Sequence, residues 1–214
     1  LALNAVDWNR DLRQAVDAIR VQERELGMTD PGRGNNVLSL PELRDAGVAV
    51  CLTTLLARQE APINHGFGHT TPEACYAYAH AHLAYYDAME KAGWMRFIRT
   101  QTDLKQHVDR YKQNPHTEPL GVIITMEGAD PLLVPETVDE FFGRGLRALG
   151  LTHYGPNRYG GGTNSEVGLA VEAIDLLKRV EELGITIDLT HLSDKAFWQT
   201  LDSFGGRVLS LIHI

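Results

Sequence analysis

The hydrophobic pattern of the chain alternates between two periods. Short apolar, partly β-branched runs at 48–54, 121–126, 146–152, 185–190 and 207–210 are each flanked by Gly or a polar break, and they read as five strands. Longer segments of helical period lie between them. Thr71 stands before Pro72, and the following residues run on Ala, Tyr, Leu and Met as far as Gly93. This predicts a helix over 72–91 with a Thr cap and Pro at its first position. Thr163-Asn-Ser-Glu166 has the spacing of a capping box, and Val167, Val171, Ile174, Leu177 and Val180 follow at steps of three and four before Gly184. A second helix is therefore predicted to start at Thr163. Strands alternating with helices are the pattern of an α/β chain with a parallel sheet. No repeat or Pro/Ser-rich linker interrupts it, so a single domain over 1–214 is expected.

Composition narrows the classes. With 43% hydrophobic and 22% charged residues in 214, the chain is globular, and disordered or collagen-like readings fall away. Lys+Arg number 20 against 28 Asp+Glu, a net charge of -8, so no basic footprint for nucleic acid or an acidic membrane exists. No stretch approaches the roughly 18 consecutive apolar residues of a membrane helix. No secretory leader is visible, which favours the cytoplasm as compartment, although the chain begins at Leu1 rather than Met. Cys51 and Cys75 form no CxxC pair and read as buried thiols.

Chemistry enters at the strand ends. Three of the runs finish as Met126-Glu127-Gly128, Leu151-Thr152-His153 and Leu189-Thr190-His191, at intervals of 26 and 38 residues. An eightfold barrel allots roughly 30 residues to each strand-helix unit and points its strand-end residues into one mouth. Taken singly, Glu127 reads as a solvated carboxylate and the two histidines as ordinary core or surface residues. Together they suit a metal or acid-base site, because carboxylate and neutral imidazole are zinc ligands. Other constellations fail on spacing. His65 and His69 are separated by Gly66 and Gly68, with no HExxH motif. His80 and His82 lie two apart on a predicted helix and so diverge. Gly160-Gly-Gly162 lacks the Lys-Ser/Thr of a phosphate loop and reads as a flexible strand-to-helix loop. Asp188 either orients an imidazole or pairs with a helix behind the sheet.

Met126-Glu-Gly-Ala-Asp130, the stretch from Gly145 to Tyr154 with Asn157 after it, and Leu183-Gly-Ile-Thr-Ile-Asp-Leu-Thr-His191 followed by Ser193 resemble the membrane (renal) dipeptidase family of amidohydrolase-like barrels. The resemblance extends from the first residues to about Leu209. It implies a (β/α)8 barrel of the TIM type, here partial with about strands two to six, and hydrolysis of dipeptides with two zinc ions. It further implies that Glu127 is the metal-bridging carboxylate and His191 a metal ligand. His153 would be a catalytic, substrate-binding group that is not a ligand but stabilises the tetrahedral oxyanion. The family's first-strand His-x-Asp pair has no counterpart, and His213 falls one position past the expected sixth-strand ligand and stays unassigned. The chain is thus expected to be a fragment cut at both ends and inactive and poorly folded by itself. Its residues 209–214 resemble a translated library adapter and are expected to be non-native. The implied partner is a small dipeptide, with neither nucleic acid nor a membrane span, and a homodimer is compatible with it. Two alternatives stand beside this: a related barrel amidohydrolase acting on another amide such as an N-acyl amino acid, and a catalytically dead barrel used as a binding module.

Overall fold

Where the periodicity changes from two to nearly four, the chain changes from strand to helix. The structure, a computed structural model, describes residues 1–60 and 68–211. In chain order its elements are α1 (Ala2–Val6), α2 (Val16–Glu25), α3 (Leu40–Asp45), β1 (Val50–Leu55), β2 (Arg58–Gln59), β3 (Gly68–His69), α4 (Pro72–Lys91) and β4 (Met95–Phe97). They continue with α5 (Gln101–Gln113), β5 (Leu120–Glu127), α6 (Thr137–Gly143), β6 (Leu146–Gly150), α7 (Val171–Leu183), β7 (Thr186–Asp188), α8 (Asp194–Ser203) and β8 (Val208–Leu209). Strands β2 and β3, β4 and β5, β5 and β6, β6 and β7, and β7 and β8 pair in parallel, and the α/β class with a partial barrel sheet is as expected from the sequence. No helix of the described residues is long and apolar enough to cross a membrane.

Packing contacts gather the chain into two units, 1–53 with 85–122 and 54–84 with 123–214. In the first, β4 pairs with the start of β5, Met95 opposite Leu120 and Phe97 opposite Val122, while the Gly121 N–H donates to the Ala49 carbonyl at 2.9 Å. Strand β4 is absent from the sequence prediction because its three residues, Met95-Arg-Phe97, put a charged residue in their middle and stand in no longer apolar run. Helix α5 begins in a full capping box of Thr100 and Asp103. Its buried His107 presents Nε2 to the Ala49 carbonyl at 2.9 Å. Cys51, predicted buried, is only half-buried here, because β1 leaves it partly exposed.

Charge is buried in this unit at one place. Glu23 accepts from Arg10 Nε at 2.7 Å, Arg33 Nη1 at 3.0 Å and the Gly34 N–H at 2.6 Å, and both guanidinium groups lie 4.8 Å from the Trp8 ring centre. The Arg10 hydrogen bond above all holds the Glu23 carboxyl down at about 2, against its own desolvation.

In the second unit the C-terminal half of β5 pairs with β6, β6 with β7 and β7 with β8. Helices α6 and α7 cover this sheet with Val138, Phe141, Ala173, Leu176, Leu177 and Val180, all buried. The apolar stripe of α7 therefore runs through Ala173, Leu176, Leu177 and Val180, and not through the predicted Val167 and Val171, which are 51% and 83% exposed. Correspondingly α7 starts at Val171 with Ala170 as its N-cap, eight positions after Thr163. Asn164 sits at φ 66°, a left-handed conformation that no helical turn accepts, so the capping-box reading of Thr163 is overturned. Gly184 ends the helix as predicted. On α4, Thr71 caps through its hydroxyl to the Ala74 N–H at 3.2 Å, and Cys75 is buried.

A carboxyl whose folded value lies below its unfolded one stabilises the fold fully above the unfolded value and ceases to as the pH falls through the folded one. For Glu23 that window runs from about 4.5 down to about 2. Urea midpoints of the full-length protein that contains this chain should fall across this window. Glu23→Gln should lower stability at pH 7 by about 3–5 kcal/mol, the cost of breaking a buried ion pair from one side, and should flatten the acid limb. An acid limb identical in both proteins would remove Glu23 as its source.

Candidate functional site

Strand register builds the site. Glu127 is paired with Gly150, and Gly150 with Asp188, so the three parallel strands are level at their C-terminal ends. His153 and His191 each lie three residues beyond that level, and all three predicted groups come together in the second unit. Glu127 Oε1 lies 3.2 Å from His191 Nε2 and 3.4 Å from His153 Nε2. The two imidazole rings are 4.5 Å apart at 60°. One ligand-capable atom from each of Glu127, His153 and His191 lies within 4.8 Å of the other two. One carboxylate oxygen and two imidazole nitrogens converging at this separation are a donor set that fits a divalent, borderline-soft cation.

Turns aim these side chains. Gly128, next to Glu127, has φ 92°, and a Cβ there would stand 3.2 Å from Asp130 Oδ2 and 3.6 Å from the His153 Cβ. The chain can reverse this tightly only without a side chain. His191 has φ 70°, a conformation that costs a non-glycine residue about 1–3 kcal/mol and persists only where its surroundings impose it. Those surroundings are visible. Asp188 Oδ1 accepts from the Thr190 N–H at 2.9 Å, closing a turn just before His191. Of the two roles the sequence left open for Asp188, neither is the one made here.

The loop from 151 to 170 is held from both sides. Asn157 Nδ2 donates to Asp130 Oδ2 at 2.9 Å and to the Leu151 carbonyl at 2.8 Å, while its Oδ1 accepts from the Tyr159 and Gly160 N–H groups. Asp130 also accepts from the Gln59 N–H at 3.0 Å. Burial pushes its carboxyl up from the ordinary range, opposed by the Asn157 bond. Gly160, Gly161 and Gly162 are buried rather than a flexible surface loop. A Cβ on Gly161 would fall 1.9 Å from the Val167 carbonyl oxygen, so the backbone packs where no side chain fits.

Electrostatically the cluster is mixed. The His153 hydrogen bond is the largest influence holding Glu127 below the usual carboxylate range, and partial desolvation opposes it. The histidines differ in what stands behind them. His191 Nδ1 meets the Thr163 hydroxyl at 3.0 Å, whereas His153 Nδ1 is buried with no hydrogen-bond partner among the described residues. Tyr154, half exposed, places its ring 4.7 Å from that of His153 and 5.1 Å from that of His191. Thr163 is the residue that sequence reasoning assigned elsewhere, and the three glycines directly before it are the signal of close backbone packing that could have placed it. Among the spacings set aside, His80 contacts Arg144 Nη1 at 2.9 Å and Glu140 at 3.4 Å, and His82 is buried away from it. His69 lies in β3 with its ring 4.5 Å from Tyr78. His65 and His213 lie outside the described residues.

Comparison with known proteins agrees with the fold and the motifs. Among solved structures, a dipeptidase AC, a metallopeptidase of family M19, superposes with a TM-score of 0.68 at 22% identity, over 90% of this chain and 58% of that one. A metallopeptidase from Rhodobacter sphaeroides, liganded with a phosphinate mimic of the dipeptide L-Ala-D-Ala, gives a TM-score of 0.68 at 21% identity over 90% and 60%. In sequence, an uncharacterized protein in the PQQ-III 3' region of Acinetobacter calcoaceticus is 36% identical over 92 residues, 39% of this chain and 29% of that protein. The chain thus spans about three fifths of the structures and under a third of that relative. The model of the membrane dipeptidase family, peptidase family M19, matches residues 6–204. This chain belongs to that family.

Proposed function

We propose that the protein containing this chain is a zinc-dependent dipeptidase, in which Glu127 and His191 hold metal and His153 acts on the substrate. Membership of a metallopeptidase family supports a metallo-dipeptidase type of function, and the observation that carries the division of labour is the asymmetry behind the two histidines. A metal-ligating His almost always uses its second ring nitrogen on an oxygen partner, which fixes ring and tautomer. His191 has that partner in Thr163. His153 has none among the described residues, and its Nε2 lies 3.4 Å from Glu127 Oε1, so a neutral ring that leaves Nδ1 bare carries its proton on Nε2. Such a donor belongs where negative charge develops on the scissile carbonyl oxygen.

The chemistry supplied by two bound zinc ions is activation of water near neutral pH and polarisation of the peptide carbonyl. The residues do the rest. Glu127 contributes the anionic charge that a cation pair requires, Tyr154 walls the cluster with an aromatic ring beside both histidines, and the buried 160–162 backbone keeps the loop behind them from yielding. A rival amidohydrolase acting on another amide would share this cage, because a cage of ligands says little about the leaving group.

A dipeptide panel run on the full-length protein and its variants tests the reading directly: a chelator should abolish turnover and added zinc restore it, whereas activity indifferent to chelation sinks the proposal. Glu127→Gln should leave the thermal transition in place but remove most of the activity, since a neutral amide cannot balance divalent charge. Near-normal turnover with zinc retained would take Glu127 out of the site. His153→Ala should keep its zinc content while kcat falls by about 10²–10³, the loss typical of one oxyanion donor. A variant that instead sheds zinc shows His153 to be a ligand.

A further inference from the structure

Thr163 belongs to no helix or strand, yet it touches both histidine segments. Its N–H donates to the His153 carbonyl at 3.1 Å and its own carbonyl accepts from the Gly155 N–H at 2.9 Å. Its hydroxyl reaches the other histidine twice, 3.0 Å from His191 Nδ1 and 3.3 Å from the His191 carbonyl oxygen. A hydroxyl has one proton to donate and lone pairs to accept with, so two arrangements are open to it. If the hydroxyl donates to Nδ1, the neutral ring carries its proton on Nε2 and donates to Glu127 Oε1 at 3.2 Å. If the hydroxyl donates to the carbonyl, it accepts from Nδ1–H, and the Nε2 lone pair is free for a cation.

We propose that Thr163 is a positioning residue whose hydroxyl turns between these two acceptors, so that His191 passes from the Nε2–H to the Nδ1–H tautomer when metal binds without losing a hydrogen bond in either state. The inference rests on the metal-centre reading of Glu127 and His191. The proton count of the ring is the same before and after: Nε2 gives one proton to solvent and Nδ1 takes one up. The hydroxyl proton only rotates. The Thr152 hydroxyl, 3.4 Å from the same His191 carbonyl, supplies that oxygen with a donor in the metal-free arrangement. The left-handed backbone at His191 is what brings its carbonyl and its ring to one hydroxyl together, which gives the strained φ of 70° a role.

The test uses the full-length protein that contains this chain, with zinc as the only added ligand. Long-range ¹⁵N spectra of His191 should show Nε2–H without metal and Nδ1–H at saturating zinc. Thr163→Val keeps size and branching but removes the hydroxyl. It should leave the metal-free ring as a tautomer mixture and weaken zinc binding by about 10–100-fold, the range for losing such an outer partner. Thr163→Ser should restore both signatures, which a merely steric role would not explain, and unchanged His153 and His107 signals would certify that the variants are folded. Identical His191 spectra in the wild type and Thr163→Val, or equal zinc affinity in the two, would overturn the proposal. If the wild type takes up no zinc, the metal-centre reading fails and the proposal with it, whereas zinc uptake with an unchanged His191 tautomer overturns the proposal alone.

Discussion

Parallel pairing in a single register is the constraint on which the site depends. Because side chains alternate along a strand, a slip of one residue between β5 and β6 would carry Glu127 to the opposite face and separate it from both histidines. The structure holds the level through Glu127, Gly150 and Asp188. It does so despite a register shift between Ile124 and Thr125, the kind of irregularity that re-aims the residues after it. The buried residues on either side of that shift, Val122, Ile124 and Met126, keep alternation correct by making any slip expose them. Core packing and site geometry are therefore one requirement, and a mutation that loosens the first disturbs the second.

Turns then convert a level set of strand ends into converging side chains. Two of them use backbone that ordinary residues avoid, at Gly128 and at His191. Glycine meets the first demand without strain, whereas His191 holds a left-handed backbone that a side chain makes costly. Hydrogen bonds to its carbonyl from Thr152 and Thr163, and the turn closed by Asp188, are what oppose relaxation. Rigidity in the 160–162 backbone comes from close packing rather than from regular structure, as the position a Gly161 Cβ would occupy shows.

Much of this was legible in the sequence, and the misses have physical causes. Five strands, the helix capped at Thr71, the end of α7 at Gly184 and the coming together of Glu127, His153 and His191 all follow from period, punctuation and strand-end position. Strands β2, β3 and β4, of two or three residues each, escaped because none stands in an apolar run longer than itself. The start of α7 was misplaced because Thr163-Asn-Ser-Glu166 meets the capping-box pattern locally, while tertiary contacts claim the same hydroxyl for His191. That is the ordinary way in which local propensity loses, since an isolated cap contributes only about 1 kcal/mol. The Asp130–Asn157 clasp carries no signal of its own in one sequence, because its partners are 27 residues apart.

The same hydroxyl explains why a cluster of chemically similar groups need not be a cluster of equal roles. Glu127 faces two imidazole nitrogens at nearly equal distance, 3.2 and 3.4 Å, so distance alone cannot separate a ligand from a donor. What separates them is the second nitrogen of each ring. One meets the Thr163 hydroxyl, which by accepting from it can leave the first nitrogen a lone pair; the other is buried without a partner among the described residues, which in the proposed division of labour leaves it bare and places the proton on the nitrogen that faces the cluster. Thr163 is bonded through its backbone to the His153 segment and through its side chain to His191, so in the proposed division of labour both roles meet in a single residue of a single loop. Substitutions that move this loop should alter metal retention and turnover together, and only those that change Thr163 chemistry while leaving its backbone in place can separate the two.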